Sequence, residues 1–462
     1  MTKSRGIGIC IAILSGASIL ALPAPQGLSG AAQSVLAVAA FTIVLWLFQV
    51  MNNGIASVLM MGLMILAGAR PQLALSGFSS PQFWILLAVL YYGCAMNRTG
   101  LAQRLSYYVL TLFPGTYAGI LAALFVIGSV LSFGIPSMTV RTAIIVPIAW
   151  ALVQSLGIEP RSRGSALIMI TGIEMAVIPG CALLYGSLYG PVVDSVFQAR
   201  HFSLVWLEYA KVMAVPTLIL CLLVLGANPL VLRPESPIKA PPAFAREKLR
   251  ALGPLKRTEW ITGAVVALSM AYWATDRLHH MPSFLVGMFG LGVFALAGIL
   301  RDEDIGGGVS WTLMLFLGGI FGLANVIQEY RITDWIAGYF VPVAKELSFS
   351  GMVVVLVMAL AMLALRFFDP TGFIAIPVLF LPIADVMLAA GIPPLVLMAS
   401  LLLPQVPFWL SYQNIWIAMG EGMTSNQAFS GGQRALLAHV YGIMVLVTLA
   451  LSVGFWKLTG FL

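Results

Sequence analysis

Charge is what this chain lacks most. Asp, Glu, Lys and Arg make up 9% of its 462 residues, against 60% apolar residues, whereas a soluble globular protein carries about 25% charge and about 45–50% apolar residues. That balance excludes an ordinary soluble enzyme, whose surface needs the missing charge. No charged residue stands between Arg5 and Arg70, between Arg104 and Arg141, or between Asp385 and Glu421. A helical crossing takes about 20 apolar residues, so each run exceeds one span and the whole length holds about ten to twelve helices. The runs are continuously apolar, which excludes a closed β-barrel built from short alternating segments.

Cysteine and histidine are also scarce. The four cysteines (Cys10, Cys94, Cys181, Cys221) lie in apolar stretches without paired or metal-like spacing and read as small buried hydrophobes. The four histidines (His201, His279, His280, His439) are scattered and form no His-Glu-x-x-His zinc motif, so no metal site is expected. Gly27-Leu28-Ser29-Gly30 imitates a hydrolase tetrapeptide, with His439 as its nominal base, but it sits in a Pro/Gly-rich connection after the first apolar run. No catalytic residue is expected.

What is present is a polytopic pattern. Lys3 and Arg5 followed by an apolar run to Leu22 imitate a signal peptide, but Ala21-Leu22-Pro23-Ala24 is a poor cleavage site and further spans follow at once. The chain is therefore divided into a first transmembrane helix (1–30) with a cytoplasmic N-terminus, a first repeat (31–232), a proline-rich cytoplasmic linker (233–257) and a second repeat (258–462). Gly, Pro and charge punctuation predicts spans near 6–24, 31–50, 54–69, 80–97, 165–185, 204–232, 258–276, 281–300, 310–328, 393–411 and 436–460. Two further stretches are interrupted: 115–156 at Phe133 to Ser137, and 350–391 at Phe368 to Gly372. Each reads as a helix that enters, turns and returns, with tips near 134–140 and 368–374. An amphipathic piece precedes each, Leu101 to Phe113 and Ile332 to Val343.

Alternating spans place Arg98, Arg104, Arg161, Arg163, Arg301, Arg434 and the linker on the cytoplasmic side, and Arg70, Arg200, Arg277, Arg331 and Lys345 outside. The net charge of +7 then reflects orientation and contact with anionic lipid, and no nucleic-acid partner is needed. Ile145-Val146-Pro147-Ile148-Ala149 after the first interruption resembles Phe380-Leu381-Pro382-Ile383-Ala384 after the second, and Trp84 and Trp311 open similar helices. Repeated halves with interrupted hydrophobic segments point to a secondary transporter with its site between the repeats.

The interruptions carry the polar chemistry. Ser137 is placed to cap a helix starting near Val140, whose N–H groups and dipole suit an anion. Arg141 falls in its first turn, either to neutralise that anion or as a structural arginine, snorkelling or paired with an acid such as Glu174. At the second tip, Asp369, Pro370, Thr371 and Gly372 follow Arg366 by one turn, which leaves a cation site, a proton carrier and a structural ion pair open. Unwound positions are expected at Gly186-Ser187-Leu188-Tyr189-Gly190 and Ser411-Tyr412-Gln413-Asn414, where polar residues interrupt apolar helices.

These segments resemble the divalent anion–sodium symporter family, especially its branch of bacterial anion permeases and plastid dicarboxylate translocators. The resemblance rests on Ala74-Leu75-Ser76-Gly77-Phe78-Ser79 with Trp84, Thr99-Gly100-Leu101-Ala102 with Arg104, Leu252-Gly253-Pro254-Leu255 before Glu259-Trp260, Trp311 to Gly319 and Phe429 to Gly442. Ser137-Met138-Thr139-Val140-Arg141 is similar to the branch's Ser-Asn-Thr-Ala-Arg tip, with Met138 in place of Asn, and Gly372-Phe373-Ile374 occupies the second tip.

The family likeness implies an all-α polytopic membrane protein with two inverted repeats, each holding a re-entrant hairpin and an unwound helix, with about 11 transmembrane helices. It also implies a homodimer in the bacterial inner membrane that carries small organic anions of di- or tricarboxylate type by an elevator movement. The implied anion contacts are Ser137, Met138, Thr139, Arg141, Ser187, Thr371, Gly372, Ser411, Tyr412, Gln413 and Asn414. The implied contacts of a coupling ion, sodium or a proton, are Ser137, Gly186, Asp369 and Asn414. Met138 offers only a thioether, a poor ligand for a hard cation. Asp369 is expected to replace one sodium site, as a proton carrier or as a fixed partner of Arg366. Exchange or proton-coupled transport of a sulfonate or sulfate is the alternative. An anion channel lacks the filter-like repeat or ring of charge it would need.

Overall fold

The computed structural model describes residues 3–238, 243–279, 281–332, 334–335, 338, 350–367, 369 and 372–462. Among them the secondary structure is helical, without strands. A backbone inside lipid has no water to bond, so a segment of this composition must satisfy its own N–H and C=O groups, and a helix does so locally. Among the described residues, seven helices are long and apolar enough to cross a membrane: Gly30–Leu47, Tyr117–Gly134, Met138–Ser155, Arg163–Ala182, Trp206–Val231, Trp311–Glu329 and Gly431–Thr459. Arg5–Ala21, Asn53–Leu66, Ser283–Leu296, Gly351–Leu365 and Pro394–Gln405 are shorter apolar helices. Pro81–Thr99 and Leu101–Thr111 form a pair bent by 68°, hinged at Gly100 with φ +84. The amphipathic piece expected at Ile332 to Val343 falls almost entirely outside the described residues, as do Thr371 and Pro370 of the second tip.

Polar caps set the boundaries. Ser29, Asn52, Ser80, Thr116, Ser137, Ser162, Ser310, Ser350, Asn414 and Ser430 each accept a backbone N–H at a helix start, which satisfies donors the helix leaves free. Ser29, the one serine with a hydrolase-like context, is such a cap and accepts from Ala32 N–H at 3.1 Å. The first helix packs along the second, and Gln33 Nε2 donates to the carbonyls of Ile19 and Leu22 at 2.6 and 2.7 Å.

Element order repeats across the chain. Tyr117–Gly134 turns into Met138–Ser155, is followed by an interrupted helix (Arg163–Val177, then Tyr189–Ala199), and ends in Trp206–Val231. Gly351–Leu365 turns through Ala375–Phe380 and Ala384–Ala389, is followed by Pro394–Leu402 and then Ile415–Met423, and ends in Gly431–Thr459. The halves pack reciprocally at glycines. A side chain at Gly77 would strike the Gly318 backbone and one at Gly322 the Ala74 carbonyl, while Gly290 of the second half lies against Tyr92 of the first.

Charges gather in two belts. In one, Arg98 pairs with Glu303 and Asp304, Arg104 with Glu259, Arg163 with Glu235 of the linker, and Arg434 with Glu421. In the other, Arg70 pairs with Glu329, and Arg200 with Asp334 and Asp385.

Tyr117–Gly134 crosses Arg163–Val177 at Gly128, where a methyl group would collide with the Met175 carbonyl oxygen. Gly128→Ala should therefore destabilise the purified protein by about 1–3 kcal/mol, a typical overpacking cost. Gly226→Ala, in open space on Trp206–Val231, should leave the thermal melt unchanged or raise it. Equal melts for the two variants would contradict this crossing.

Candidate functional site

The first tip is built on three residues between the two helices, Ile135, Pro136 and Ser137. Pro136 removes a donor and disfavours a helical residue before it. Ser137 Oγ accepts from Val140 N–H at 3.3 Å, and Met138 is fully buried. Arg141, one turn in, has no exposed surface. Its Nη1 donates to Ser132 Oγ and to the Gly186 carbonyl at 3.0 Å. The expected alternative pairing with Glu174 is not made; Glu174 accepts from Asn228 instead.

Gly186 belongs to the first helix interruption. Arg163–Val177 gives way to a tight 3₁₀ turn at Ile178–Ala182, and regular structure resumes only at Tyr189. Small residues are required here because the chain folds closely on itself: a side chain at Gly180 would meet the Gly186 carbonyl and, at 2.5 Å, Arg141 Nη2. Ser187 Oγ is buried without a partner.

The second tip uses a carboxylate as its cap. Asp369 Oδ1 accepts Gly372 N–H at 3.0 Å, and Oδ2 accepts Ile374 and Ala375 N–H at 2.9 Å each. Gly372 adopts φ +76, and a Cβ there would strike Gln405 Oε1. Arg366, also without exposed surface, donates from Nη1 to the Asp369 carbonyl and from Nη2 to the Gln413 carbonyl at 2.7 Å. Gln413 lies in the second helix interruption, between Pro394–Leu402 and Ile415–Met423, and Asn414 Oδ1 caps the resumed helix through Trp416 and Ile417 N–H at 3.0 and 3.1 Å.

Each buried arginine thus fastens a tip to the interruption that follows it. Cross-contacts join the two assemblies: Trp416 Nε1 donates to Thr139 Oγ1 at 3.3 Å, and the Tyr189 ring lies 5.1 Å from that of Phe373. Arg141 Nε and Nη2, Ser187 Oγ, Arg366 Nε and Gln413 Nε2 are all buried without an acceptor. Buried polar groups are nearly always paired; here these donors stand beside one unpartnered acceptor at the second tip, Gln405 Oε1.

Residues 3–461 match the family of the sodium:sulfate symporter transmembrane region. The chain belongs to the divalent anion–sodium symporter family. It is 23% identical over 466 residues to "Dicarboxylate transporter 1, chloroplastic" of Arabidopsis thaliana, covering 97% of this chain and 82% of that protein. It is 25% identical over 406 residues to inner membrane protein YbhI of Escherichia coli (strain K12), covering 83% of this chain and 82% of that protein. The solved structure of the Alcanivorax borkumensis YdaH transporter aligns with a TM-score of 0.58 at 14% identity, over 84% of this chain and 88% of that one. The protein is a membrane transporter of this family and not an enzyme.

In this symporter-family chain the structure brings Ser137, Met138, Thr139, Arg141, Gly186, Ser187, Asp369, Gly372, Gln413 and Asn414 into the linked tips and interruptions. Ser411 and Tyr412 turn away: Ser411 Oγ accepts from Arg434 at 2.5 Å, and Tyr412 is exposed with its OH on the Phe367 carbonyl at 3.0 Å. The sequence reading missed Ser132, Gly180, Gln405 and Trp416. Gln405 was legible as a lone amide in a charge-free run. The others look like ordinary helix residues until their partners are known. At the first tip Ser137 Oγ accepts Val140 N–H and the Gly186 carbonyl accepts from Arg141.

Asp369 accepts from three backbone N–H groups at once, so Asp369→Asn replaces one acceptor oxygen with a donor. Loss of a helix cap costs about 0.5–2 kcal/mol, and the variant should melt earlier by a corresponding margin in a thermal-shift assay. A melt identical to the parent would contradict the capping role.

Proposed function

We propose that the protein is a secondary active transporter of small organic dianions, of di- or tricarboxylate type. The observation that carries this is the cluster of buried, acceptor-less donors at Arg141, Ser187, Arg366 and Gln413, which a ligand with two carboxylates complements with charge-assisted hydrogen bonds. Arg141 neutralises one carboxylate, and Ser187 and Gln413 donate to the anion. Thr371 remains a further proposed contact on its place in the sequence. Asp369, occupied as a helix cap, acts as the fixed partner of Arg366 and not as a proton carrier.

The two hairpins, the two interrupted helices and the long helices that follow them move together as an elevator. The helices before each hairpin form a scaffold through which the protein dimerises. An apolar cavity of about 240 Å³ between Gly30–Leu47, Trp311–Glu329 and the second hairpin's Ile374, Pro377 and Leu381 supports such a sliding boundary, since it holds no polar lock. In this reading the protein lies in a bacterial inner membrane with the N-terminus and the Arg-rich linker side in the cytoplasm, which the positive-inside rule supports.

Reconstituted liposomes loaded with an unlabelled four-carbon dicarboxylate should accumulate the labelled compound from outside, and external sulfate should compete less well. Arg141→Gln should lower the apparent affinity at least about tenfold, about 1.4 kcal/mol, while the protein still folds. Unchanged uptake kinetics in the well-expressed variant would remove Arg141 from the anion site. Uptake carried by an uncoupled conductance would replace the transporter reading with a channel.

A further inference from the structure

One more ionisable side chain lies at membrane depth, and the anion site does not use it. Glu174 sits on Arg163–Val177, one turn before the first interruption, with 1% of its surface exposed. Asn228 Nδ2 of Trp206–Val231 donates to Glu174 Oε2 at 2.7 Å and to Thr171 Oγ1 at 2.9 Å. The two atoms left over, Glu174 Oε1 and Asn228 Oδ1, are both buried acceptors without a donor.

The surroundings supply no counter-charge. Trp206–Val231 brings the Cys221 thiol, and Gly431–Thr459 brings the Tyr441 phenol, which donates to the Leu403 carbonyl. Lys211 and Glu208 of Trp206–Val231 pair with each other. Arg141 of Met138–Ser155 is held by Ser132 and Gly186. Tyr117–Gly134 carries only Tyr117, whose hydroxyl lies against Gly164, and Glu421 of Ile415–Met423 pairs with Arg434. A bare carboxylate at such a place is heavily disfavoured. A single proton removes the charge, turns one Glu174 oxygen into a donor, and lets acid and amide close a two-bond pair through Asn228 Oδ1.

We propose that Glu174 is a proton-binding site of the transport cycle, loaded together with the anion and unloaded with it, so that the protein is a proton–anion symporter. This rests on the transporter reading given above. The coupling is electrostatic: a dianion held by Arg141, beside Gly180, and a negative charge on Glu174 on the same interrupted helix repel each other, so anion and proton bind as a pair. The proton adds to a carboxylate oxygen and leaves from it, with no other bond changed. A groove of about 490 Å³ lined by Tyr117, Leu121, Leu225, Pro229, Pro234 and Pro237 opens beside the helix end that bears Asn228 and gives the proton its way in from the linker side.

Liposomes containing the full chain and a trapped pH dye test this with a four-carbon dicarboxylate as probe. The parent should accumulate the anion under an inward proton gradient and acidify the lumen as it does so. Glu174→Gln keeps an acceptor for Asn228 Nδ2, offers a donor to Asn228 Oδ1 as the protonated acid would, and should fold. It should lose proton-driven accumulation at least about tenfold and lose its pH dependence, while anion counterflow persists. Infrared difference spectra add a readout independent of transport: anion addition should produce a protonated-carboxyl band in the parent that is absent in Glu174→Gln. Proton-driven accumulation that survives in Glu174→Gln would overturn the proposal, as would a parent with no anion-induced band. Absence of counterflow in the parent would overturn the transporter reading itself.

Discussion

A helix that stops inside a bilayer leaves carbonyl and N–H groups that no water can satisfy, and the architecture of this protein turns on how such groups are met at the tips and interruptions. The N–H ends are met by Ser137, Asp369 and Asn414. Carbonyls in the interruptions are met by guanidinium groups, Arg141 on Gly186 and Arg366 on Gln413. Arginine suits this task because its planar fork keeps several donors and its charge at any physiological pH. Two arginines at membrane depth are costly unless they are paired.

The same pairings explain why tips and interruptions act as one unit. Each arginine ties its tip to the helix that follows. Trp416 on Thr139 and Tyr189 against Phe373 then tie each half's interrupted helix to the other half's hairpin. Before the hairpins the packing is different in kind. There the halves meet at glycines, Gly77, Gly318, Gly322 and Gly290, and through polar links such as Asn52–Thr312, Arg70–Glu329, Tyr92–Ser269 and Asn325–Ser76.

The linker is more than a spacer. Glu235 accepts the backbone N–H groups of Arg163 and Gly164 at 2.7 and 3.2 Å, at the start of the helix that bears the first interruption. Although partial burial works against ionisation, those two bonds and the nearby Arg163 charge hold the Glu235 carboxyl below its usual range, as expected of an anion at a helix N-terminus. At the linker's other end Arg104 binds Glu259 at 2.8 Å and the carbonyls of Leu252, Gly253 and Pro254. The segment between the halves is thus anchored at both ends.

The sequence by itself determined the helical membrane class and the family, because both follow from local composition and motifs: apolar runs, proline and glycine breaks, and a capping serine three residues before its donor. It also marked Arg141, Arg366 and Asp369, since charge in an apolar run is conspicuous. Only the tertiary structure decided what those charges do. Arg141 chose Ser132 and a carbonyl 45 residues on over Glu174, Asp369 became a cap, Ser411 and Tyr412 turned outward, and Glu174 was left with Asn228, 54 residues away. Such pairings depend on which helix faces lie opposite each other, and that is set by packing between distant segments, which no local pattern encodes.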